Sequence, residues 1–240
     1  VILDPVYSLN NVTSRVSEPE RKEIVMHRIG AMLALLLVCL PGLAARAEDK
    51  AGQFDYYALV LSWSPTFCEG NSDEGPQCNG TRPYAFVLHG LWPQYEQGYP
   101  QSCRIGKKPW VPGPLIDSML DIMPSPKLVI HEYKKHGTCS GLNGQQYFET
   151  VRKAREAVQI PAKFHELGEY KMVTPDEVEE AFVAANPGLS REGLAVTCDS
   201  RRLSEVRICM TRDLNFRSCP EIDRRACRND KVVMPPVRGG

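Results

Sequence analysis

The sequence lacks the short glycine motifs of nucleotide-binding proteins, since neither G-x-G-x-x-G nor G-x-x-x-x-G-K occurs in its 240 residues. It also lacks a C-x-x-C pair, an internal repeat and a low-complexity linker. These absences argue against a dinucleotide-binding domain, a P-loop enzyme, a cysteine-bound zinc site and a repeat protein. What is present is an ordinary globular composition, 42% hydrophobic and 24% charged, which is enough for one substantial core.

The sequence also has no excess of positive or negative charge. From Glu48 onward, 24 basic and 25 acidic residues leave a net charge of −1. Such a protein has no overall field to attract a polyanion, so nucleic-acid binding would require a local basic cluster. Arginine is concentrated between residues 201 and 228, but acidic residues are interleaved with it, which predicts a solvated surface of mixed charge.

No hydrophobic run is long enough for a membrane span of ~20 residues. Residues 26–47 open with a basic start, continue in an apolar run over 29–40 and end in Ala45-Arg46-Ala47. This pattern predicts a cleaved secretory signal peptide rather than a membrane anchor. We therefore expect residues 1–25 to be a structureless, non-native upstream segment and 48–240 to form a single domain. We expect the mature protein to be a monomer in the periplasm or the medium, with no membrane anchor.

Nine cysteines become eight once Cys39 is removed with the signal peptide. An even number in an exported protein predicts four disulfides, although sequence alone leaves many pairings open. Spacing favours a local bridge between Cys68 and Cys78 and a nested pair of bridges late in the chain, which leaves Cys103 and Cys139 to pair. The late cysteines are Cys198, Cys209, Cys219 and Cys227.

Secondary-structure signals are mixed along the chain. Strands are predicted over 54–63, 84–92, 194–199 and 205–211, and helices over 113–123, 145–158 and 174–188. The last helix has a capping-box pattern from Thr174 to Glu177. Residues 127–139 are predicted to begin as a short strand and continue as a helix. Because helices and strands are mixed without the regular βαβ order, an α+β domain fits better than a nucleotide-binding α/β domain.

The stretch HEYKKHGTC, residues 131–139, is unusually rich in side chains that transfer protons. It is not H-E-x-x-H, because the second histidine comes one residue later. In a helix, His131 and His136 would lie about 140° apart, which does not suit joint binding of a zinc ion. Glu132 and His136 would share one face, with His131 and Lys135 alongside.

These side chains suit an in-line attack on a phosphodiester, which needs a base, an acid and cations near phosphorus. No metal is required when the attacking hydroxyl is the neighbouring ribose 2′-OH. A second histidine segment should complete the site, and His89 in FVLHGLWPQY is the candidate. Gly90 permits close approach, and Trp92 offers a flat face for stacking a base. Taken singly, structural roles for these residues are the commoner interpretation.

Together, HGLWP (89–93) and HEYKKHGTC (131–139) resemble the two active-site segments of the ribonuclease T2 family. WSPTFC (63–68) and DLNFRSCP (213–220) extend the resemblance over most of 54–228. The resemblance implies an α+β fold with an antiparallel sheet backed by helices. It also implies cleavage of single-stranded RNA through a 2′,3′-cyclic phosphate to a 3′-phosphate, without a metal or other cofactor.

The resemblance also implies a role for each motif residue. His89 and His136 correspond to the acid–base pair. The positions that bind phosphate and stabilise the pentacovalent state correspond to His131, Glu132 and Lys135.

Two further positions follow from the same resemblance. Trp92 corresponds to a residue that helps to hold a base. A Cys103–Cys139 bridge would tether the loop after HGLWPQY to the end of the catalytic helix. Base preference is not implied, because Leu61-Ser62 stands where many eukaryotic members carry a base-selecting glutamine.

Two other function classes are open at this point. One is a catalytically silent binding protein on the same scaffold, which loss of a motif side chain would favour, but all are retained. The other is a metal-dependent hydrolase with His131 and His136 as ligands. The helical spacing argues against it, and activity in the presence of a chelator would exclude it.

Overall fold

The structure, a computed structural model, describes residues 49–71 and 75–238, and these lie in one compact unit. The predictions for residues 1–25 and 26–47 lie outside this part of the chain. The centre of the fold is a four-stranded antiparallel sheet with the order β2-β1-β5-β4. Its strands are β1 (Tyr56–Trp63), β2 (Phe86–Gln94), β4 (Leu194–Cys198) and β5 (Leu203–Met210). Two short strands, β3 (Lys171–Val173) and β6 (Val232–Met234), pair separately.

The two faces of the sheet differ, and the alternation of side chains explains why. In β1, Leu59 and Leu61 belong to the main hydrophobic core, whereas Ala58 and Val60 belong to a smaller cluster on the opposite face. Because β1 is central and buried on both faces, it reads as a continuous apolar run. The site described below lies on the face of the smaller cluster.

Seven α-helices surround the sheet in the described residues. They are α1 (Ser64–Gly70), α2 (Gly75–Asn79), α3 (Gly113–Asp117), α4 (Pro126–Lys135), α5 (Gly144–Glu156), α6 (Pro175–Ala185) and α7 (Pro220–Asp223). The middle helices contribute Val129, Phe148 and Phe182 to the main core. The capping box at Thr174 is confirmed, and Asn143 forms a second one. The α+β prediction, with an antiparallel sheet backed by helices, is confirmed.

Two predictions of secondary structure are wrong. The helix expected over 113–123 ends at Asp117, and the carbonyl of Ile122 instead accepts a hydrogen bond from the Leu88 N–H in β2. The short strand expected from residue 127 does not form. Ser125 accepts a hydrogen bond from the Leu128 N–H and Pro126 occupies the first turn, so these two residues start α4 there.

Four disulfides are present in the described part of the chain, as predicted. They pair Cys68 with Cys78, Cys103 with Cys139, Cys198 with Cys227 and Cys209 with Cys219. The Cys103–Cys139 bridge joins the loop after β2 to the 3₁₀ turn Gly137–Ser140, which follows α4 directly. The two elements that carry the predicted site residues are therefore covalently linked.

Candidate active site

His89 lies at a β-bulge in β2. On the neighbouring strand, Val60 pairs with Gly90 and Leu61 pairs with Leu88, so His89 has no partner in the ladder. Bulges of this kind redirect side chains and are common beside active sites.

The bulge explains the spacing of the H-G-L-W segment. Leu88 and Leu91 both belong to the main core although they are three residues apart, so the alternation has shifted by one residue between them. His89 and Trp92 consequently share the other face, with ring centroids 5.2 Å apart in an edge-on arrangement. An imidazole and an indole are thus brought together.

Glu132, on α4, is held against this pair from the adjoining helix. The Trp92 Nε1–H donates a hydrogen bond of 2.6 Å to its Oε2. A Cβ atom at Gly90 would lie 2.1 Å from the same oxygen, so the glycine is what allows the carboxyl group to approach the strand. Gly90 thus makes room for a side chain of the site.

The Glu132 carboxyl group is almost fully buried, with 1% of the side chain exposed. Burial raises its pKa to about 7, although His89, Trp92 and Lys135 act in the opposite direction. Its Oε1 has no hydrogen-bond partner in the described part of the chain and lies 3.5 Å from Nε2 of His89. Near neutral pH, this carboxyl group therefore exchanges between its neutral and charged forms.

His89 meets a second carboxylate, which the sequence analysis missed. Its Nδ1 lies 2.7 Å from Oε1 of Glu205, and the other oxygen of Glu205 accepts two hydrogen bonds from Arg207. Burial opposes protonation of His89, but the hydrogen bond with Glu205 and the charges of Glu132 and Glu205 outweigh it. The pKa of His89 is raised as a result.

Arg207 corrects the expectation of a solvated mixed surface for the late arginines. Arg202, Arg217 and Arg225 do form such surface ion pairs. Arg207 instead lies in the site, with its guanidinium 5.2 Å from the centre of the Trp92 ring. The period-2 alternation of EVRICMT predicts that Glu205 and Arg207 share one face of β5, but nothing in that pattern links this face to His89.

His136 packs on the indole. It follows α4 as its C-cap residue, and its ring is stacked on Trp92 at 4.7 Å with an angle of 19°. Only 3% of the residue is exposed, and its Nδ1 has no hydrogen-bond partner among the described residues. Burial, reinforced by Lys135, His89 and His131, lowers the pKa of His136 to about 3. Its imidazole is therefore neutral over the whole physiological range.

Two cavities border the histidines of the site. His89 and the exposed His131 line one of about 390 Å³, which Ser62 and Ser125 also border. Partial burial, followed by Lys135 and His89, lowers the pKa of His131.

The second cavity, about 250 Å³, is bordered by Trp92, Lys135 and His136. Trp92 contacts His89, which lines the first cavity, and His136, which borders the second. Its predicted role in base stacking stays a prediction, since the contacts seen are with these two rings, Glu132 and Arg207.

All five predicted catalytic residues therefore lie around Trp92 or in these two cavities. Across residues 49–71 and 75–238, no three histidine, cysteine or acidic side chains converge in a way that could hold a metal ion. The arrangement offers two imidazoles, a buried carboxyl group and a lysine for proton transfer and binding of an anion.

Comparison with known proteins supports the resemblance. Residues 54–219 match the model of the Ribonuclease T2 family. A ribonuclease of Aeromonas hydrophila is 38% identical over 138 residues, which cover 58% of this chain and 62% of that protein. A probable ribonuclease of Haemophilus influenzae is 38% identical over 128 residues, which cover 48% of this chain and 47% of that protein. The chain thus spans less than two thirds of either bacterial relative.

The fold has solved counterparts. The crystal structure of RNase NT in complex with 5′-AMP superposes with a TM-score of 0.59 at 25% identity, covering 77% of this chain and 99% of that one. The similarity extends over nearly the whole of that molecule and agrees with the α+β architecture described above.

Proposed function

Because the chain belongs to the ribonuclease T2 family, we propose that it is an endoribonuclease that cleaves single-stranded RNA by attack of the 2′-OH on the adjacent phosphate. The observation that carries this proposal is the pair of imidazoles against one indole, with the pKa of His89 raised and that of His136 lowered. His89 is thereby held in the protonated form that can give a proton, and His136 in the neutral form whose free ring nitrogen can accept one. General acid–base catalysis of phosphodiester cleavage needs both.

In the first step, neutral His136 takes the proton of the 2′-OH while the bond from O2′ to phosphorus forms. The bond from phosphorus to O5′ breaks, and protonated His89 gives its proton to this leaving oxygen. The product is a 2′,3′-cyclic phosphate. In the second step water replaces the leaving alcohol with the two roles reversed, which yields a 3′-phosphate.

Charge on the phosphorane is offset from several sides. His131, which lines the first cavity, and Lys135, which borders the second, offer positive charge or hydrogen-bond donors. Below about pH 7 the Glu132 carboxyl is neutral, and its unpaired Oε1 can donate a hydrogen bond to a phosphate oxygen. A preformed donor in a buried position contributes strongly to stabilisation of the transition state.

The two cavities fit the two nucleosides that flank the scissile phosphate. The nucleoside that supplies the 2′-OH belongs beside His136, in the cavity of about 250 Å³. The nucleoside that leaves through O5′ belongs beside His89, in the cavity of about 390 Å³.

We also propose that the protein is exported and works as a monomer outside the cytoplasm. Four disulfides support export, because such bridges persist in oxidising compartments. No helix among the described residues has the length and hydrophobicity to cross a bilayer.

The test is a dinucleotide such as CpA, incubated with the purified protein in excess chelator. We expect a 2′,3′-cyclic phosphate to appear first and a 3′-phosphate later. His89→Ala and His136→Ala should each lose at least about 10²-fold in rate, with unchanged circular dichroism. His165→Ala, at an exposed histidine remote from both motifs in sequence, is the matched control.

Near-normal rates in either site variant would refute the acid–base assignment. A folded wild-type protein that binds the dinucleotide without cutting it would instead support the silent binding protein. Loss of cleavage in chelator would point to the metal-dependent alternative.

A further inference from the structure

A second surface beside α4 carries positive charge that the mechanism above does not use. Residues 102–109 and Lys134 line an open groove of about 690 Å³. Its basic side chains are Arg104, Lys107, Lys108 and Lys134, and no acidic residue among those that the structure describes lines it. The sequence explains the sign of this charge, because no acidic residue occurs between Glu96 and Asp117.

The lysines of this groove differ from the late arginines in their pairing. Within the described part of the chain, Lys107, Lys108 and Lys134 make no ion pair, whereas Arg202 and Arg217 are paired with acids. Unpaired lysines keep their full attraction for an anion, while paired arginines are largely neutralised. Because residues 48–240 carry a net charge of only −1, this groove is a local cluster of the kind that RNA binding requires.

The groove is directly connected to the site. His131 and Lys134 are both exposed and lie three residues apart on α4, so their side chains are neighbours on one helix face. The Ser102 N–H donates a 2.7 Å hydrogen bond to the Lys135 carbonyl, and the Cys103–Cys139 bridge fixes the loop to the end of α4. An RNA strand that passes His131 would therefore reach the groove at Lys134, which lies about one turn of α4 away.

An exposed aromatic ring adjoins the groove. Trp110 follows Pro109 at the end of the groove. Of this residue 72% is exposed, the highest fraction among the exposed large hydrophobic residues that the structure describes. A solvent-exposed indole beside lysines is the combination with which proteins bind single-stranded nucleic acid without sequence preference, by stacking and backbone attraction.

We propose that this groove, formed by residues 102–110 and Lys134, binds the phosphodiester backbone of single-stranded RNA beyond the two nucleosides at the scissile bond. The proposal rests on the ribonuclease function proposed above and adds an extended binding surface to it. Lys107, Lys108 and Lys134 contact successive phosphates, and Trp110 stacks on a base. Long RNA is therefore held more tightly than a dinucleotide, which is too short to reach the groove.

The test compares Lys107→Gln/Lys108→Gln with Lys153→Gln/Lys231→Gln, a control that removes two exposed lysines outside the groove and both cavities. Binding of a 2′-O-methyl RNA of about 20 nucleotides, which cannot be cleaved, is measured by fluorescence anisotropy over a range of salt concentrations. The groove variant should lose roughly tenfold in affinity at ~0.1 M salt. Its plot of log affinity against log salt should be shallower by about 1.4, since each phosphate contact contributes about 0.7.

Cleavage of CpA should be the same in both variants within about twofold, because the dinucleotide does not reach the groove. Trp110→Ala should weaken RNA binding by about tenfold without a change in salt slope, since stacking is not ionic. A groove variant with the salt slope of the control would overturn the inference, and so would an equal loss of CpA cleavage.

A failure of the proposed ribonuclease function would give a different result. A wild-type protein that never cuts CpA but shows the lysine-dependent RNA binding would refute the ribonuclease proposal and leave the groove assignment standing. Lysine-dependent binding to vesicles of anionic lipid, with RNA binding unaffected by the substitutions, would assign the groove to a membrane surface and overturn the inference.

Discussion

His89 has a carboxyl group beside each ring nitrogen, Glu205 at Nδ1 and Glu132 near Nε2. The two differ in charge. Burial raises the pKa of Glu132 to about 7, whereas at Glu205 the hydrogen bond and charge of His89, together with Arg207, outweigh burial and lower the pKa. Glu205 is therefore the constant anion beside the imidazole. It fixes Nδ1 as a donor and leaves Nε2 to face the reacting atoms.

Glu205→Gln tests this positioning role. The amide keeps the shape but removes the charge, so the pKa of His89 should fall and the alkaline limb of the pH profile of kcat/KM should move to lower pH. Activity at pH 7 should fall about tenfold, since hydrogen bonds to charged groups are worth ~1.5–3 kcal/mol. The measurement is CpA cleavage across pH, with Glu180→Gln, at an exposed ion-paired residue of α6, as the control. A pH profile that does not move would show that Glu205 is merely structural.

At the scale of secondary-structure elements, the sequence correctly predicted the helices and strands for which several local signals agree. β1 and β5 have clear apolar patterns, and α6 has a capping box, so all three were predicted close to their observed bounds. The apolar run after Pro126 favoured a strand, but a capping Ser125 overrode that preference. The β-bulge at His89 depends on how β2 pairs with β1, a tertiary feature that no local pattern contains.

The same limit applies to the site. Both histidine segments could be identified from sequence because their residues are clustered. Glu205 could not, because it comes from β5, 116 residues after His89, and meets it only when the sheet has formed. Residues that complete a site from a distant strand carry no local motif of their own.

The Cys103–Cys139 bridge couples two such elements, and its removal should affect activity as well as stability. Cys103→Ala/Cys139→Ala opens a loop with a separation of 36 residues, which should cost about 4 kcal/mol. Cys198→Ala/Cys227→Ala opens a similar loop of 29 residues at the opposite edge of the sheet from β2 and should cost about as much. The free energy of unfolding measures both costs.

Cleavage of CpA, measured where both variants are folded, separates the roles of the two bridges. Only the first variant should lose about tenfold or more in kcat/KM, because its bridge aligns the loop after β2 with the end of α4. Equal activity in the two variants would mean that packing alone maintains this alignment.

At the scale of the whole molecule, the site makes stability depend on pH. Glu132 has a pKa of about 7 in the folded protein against an ordinary 4.5, so between these values the folded protein holds a proton that the unfolded chain releases. Stability therefore falls as pH rises through this window. The raised pKa of His89 acts in the same direction, since its contribution is present below its ordinary pKa and lost as pH rises.

His136 acts in the opposite direction at lower pH. Its pKa of about 3 lies below the ordinary 6.5, so between these values the unfolded chain binds a proton that the folded protein does not bind. Stability is therefore lost as pH falls through this range. The two buried groups together favour a mildly acidic optimum of stability. In that range Glu132 is largely neutral, His136 is neutral and His89 is protonated, which are the forms that the proposed mechanism uses.

Glu132→Gln tests the contribution of Glu132 to this pH dependence of stability. Glutamine cannot ionise, so the variant should lack the part of the stability loss between pH 5 and pH 8 that comes from Glu132, which is up to about 3 kcal/mol at ~1.4 kcal/mol per pKa unit. Urea unfolding of wild type and variant at the two pH values measures the difference. Glu149→Gln, at an exposed residue of α5, should keep the wild-type loss. If wild type and Glu132→Gln lose the same stability, the carboxyl group is already charged at pH 5, and the neutral donor proposed for the transition state is wrong.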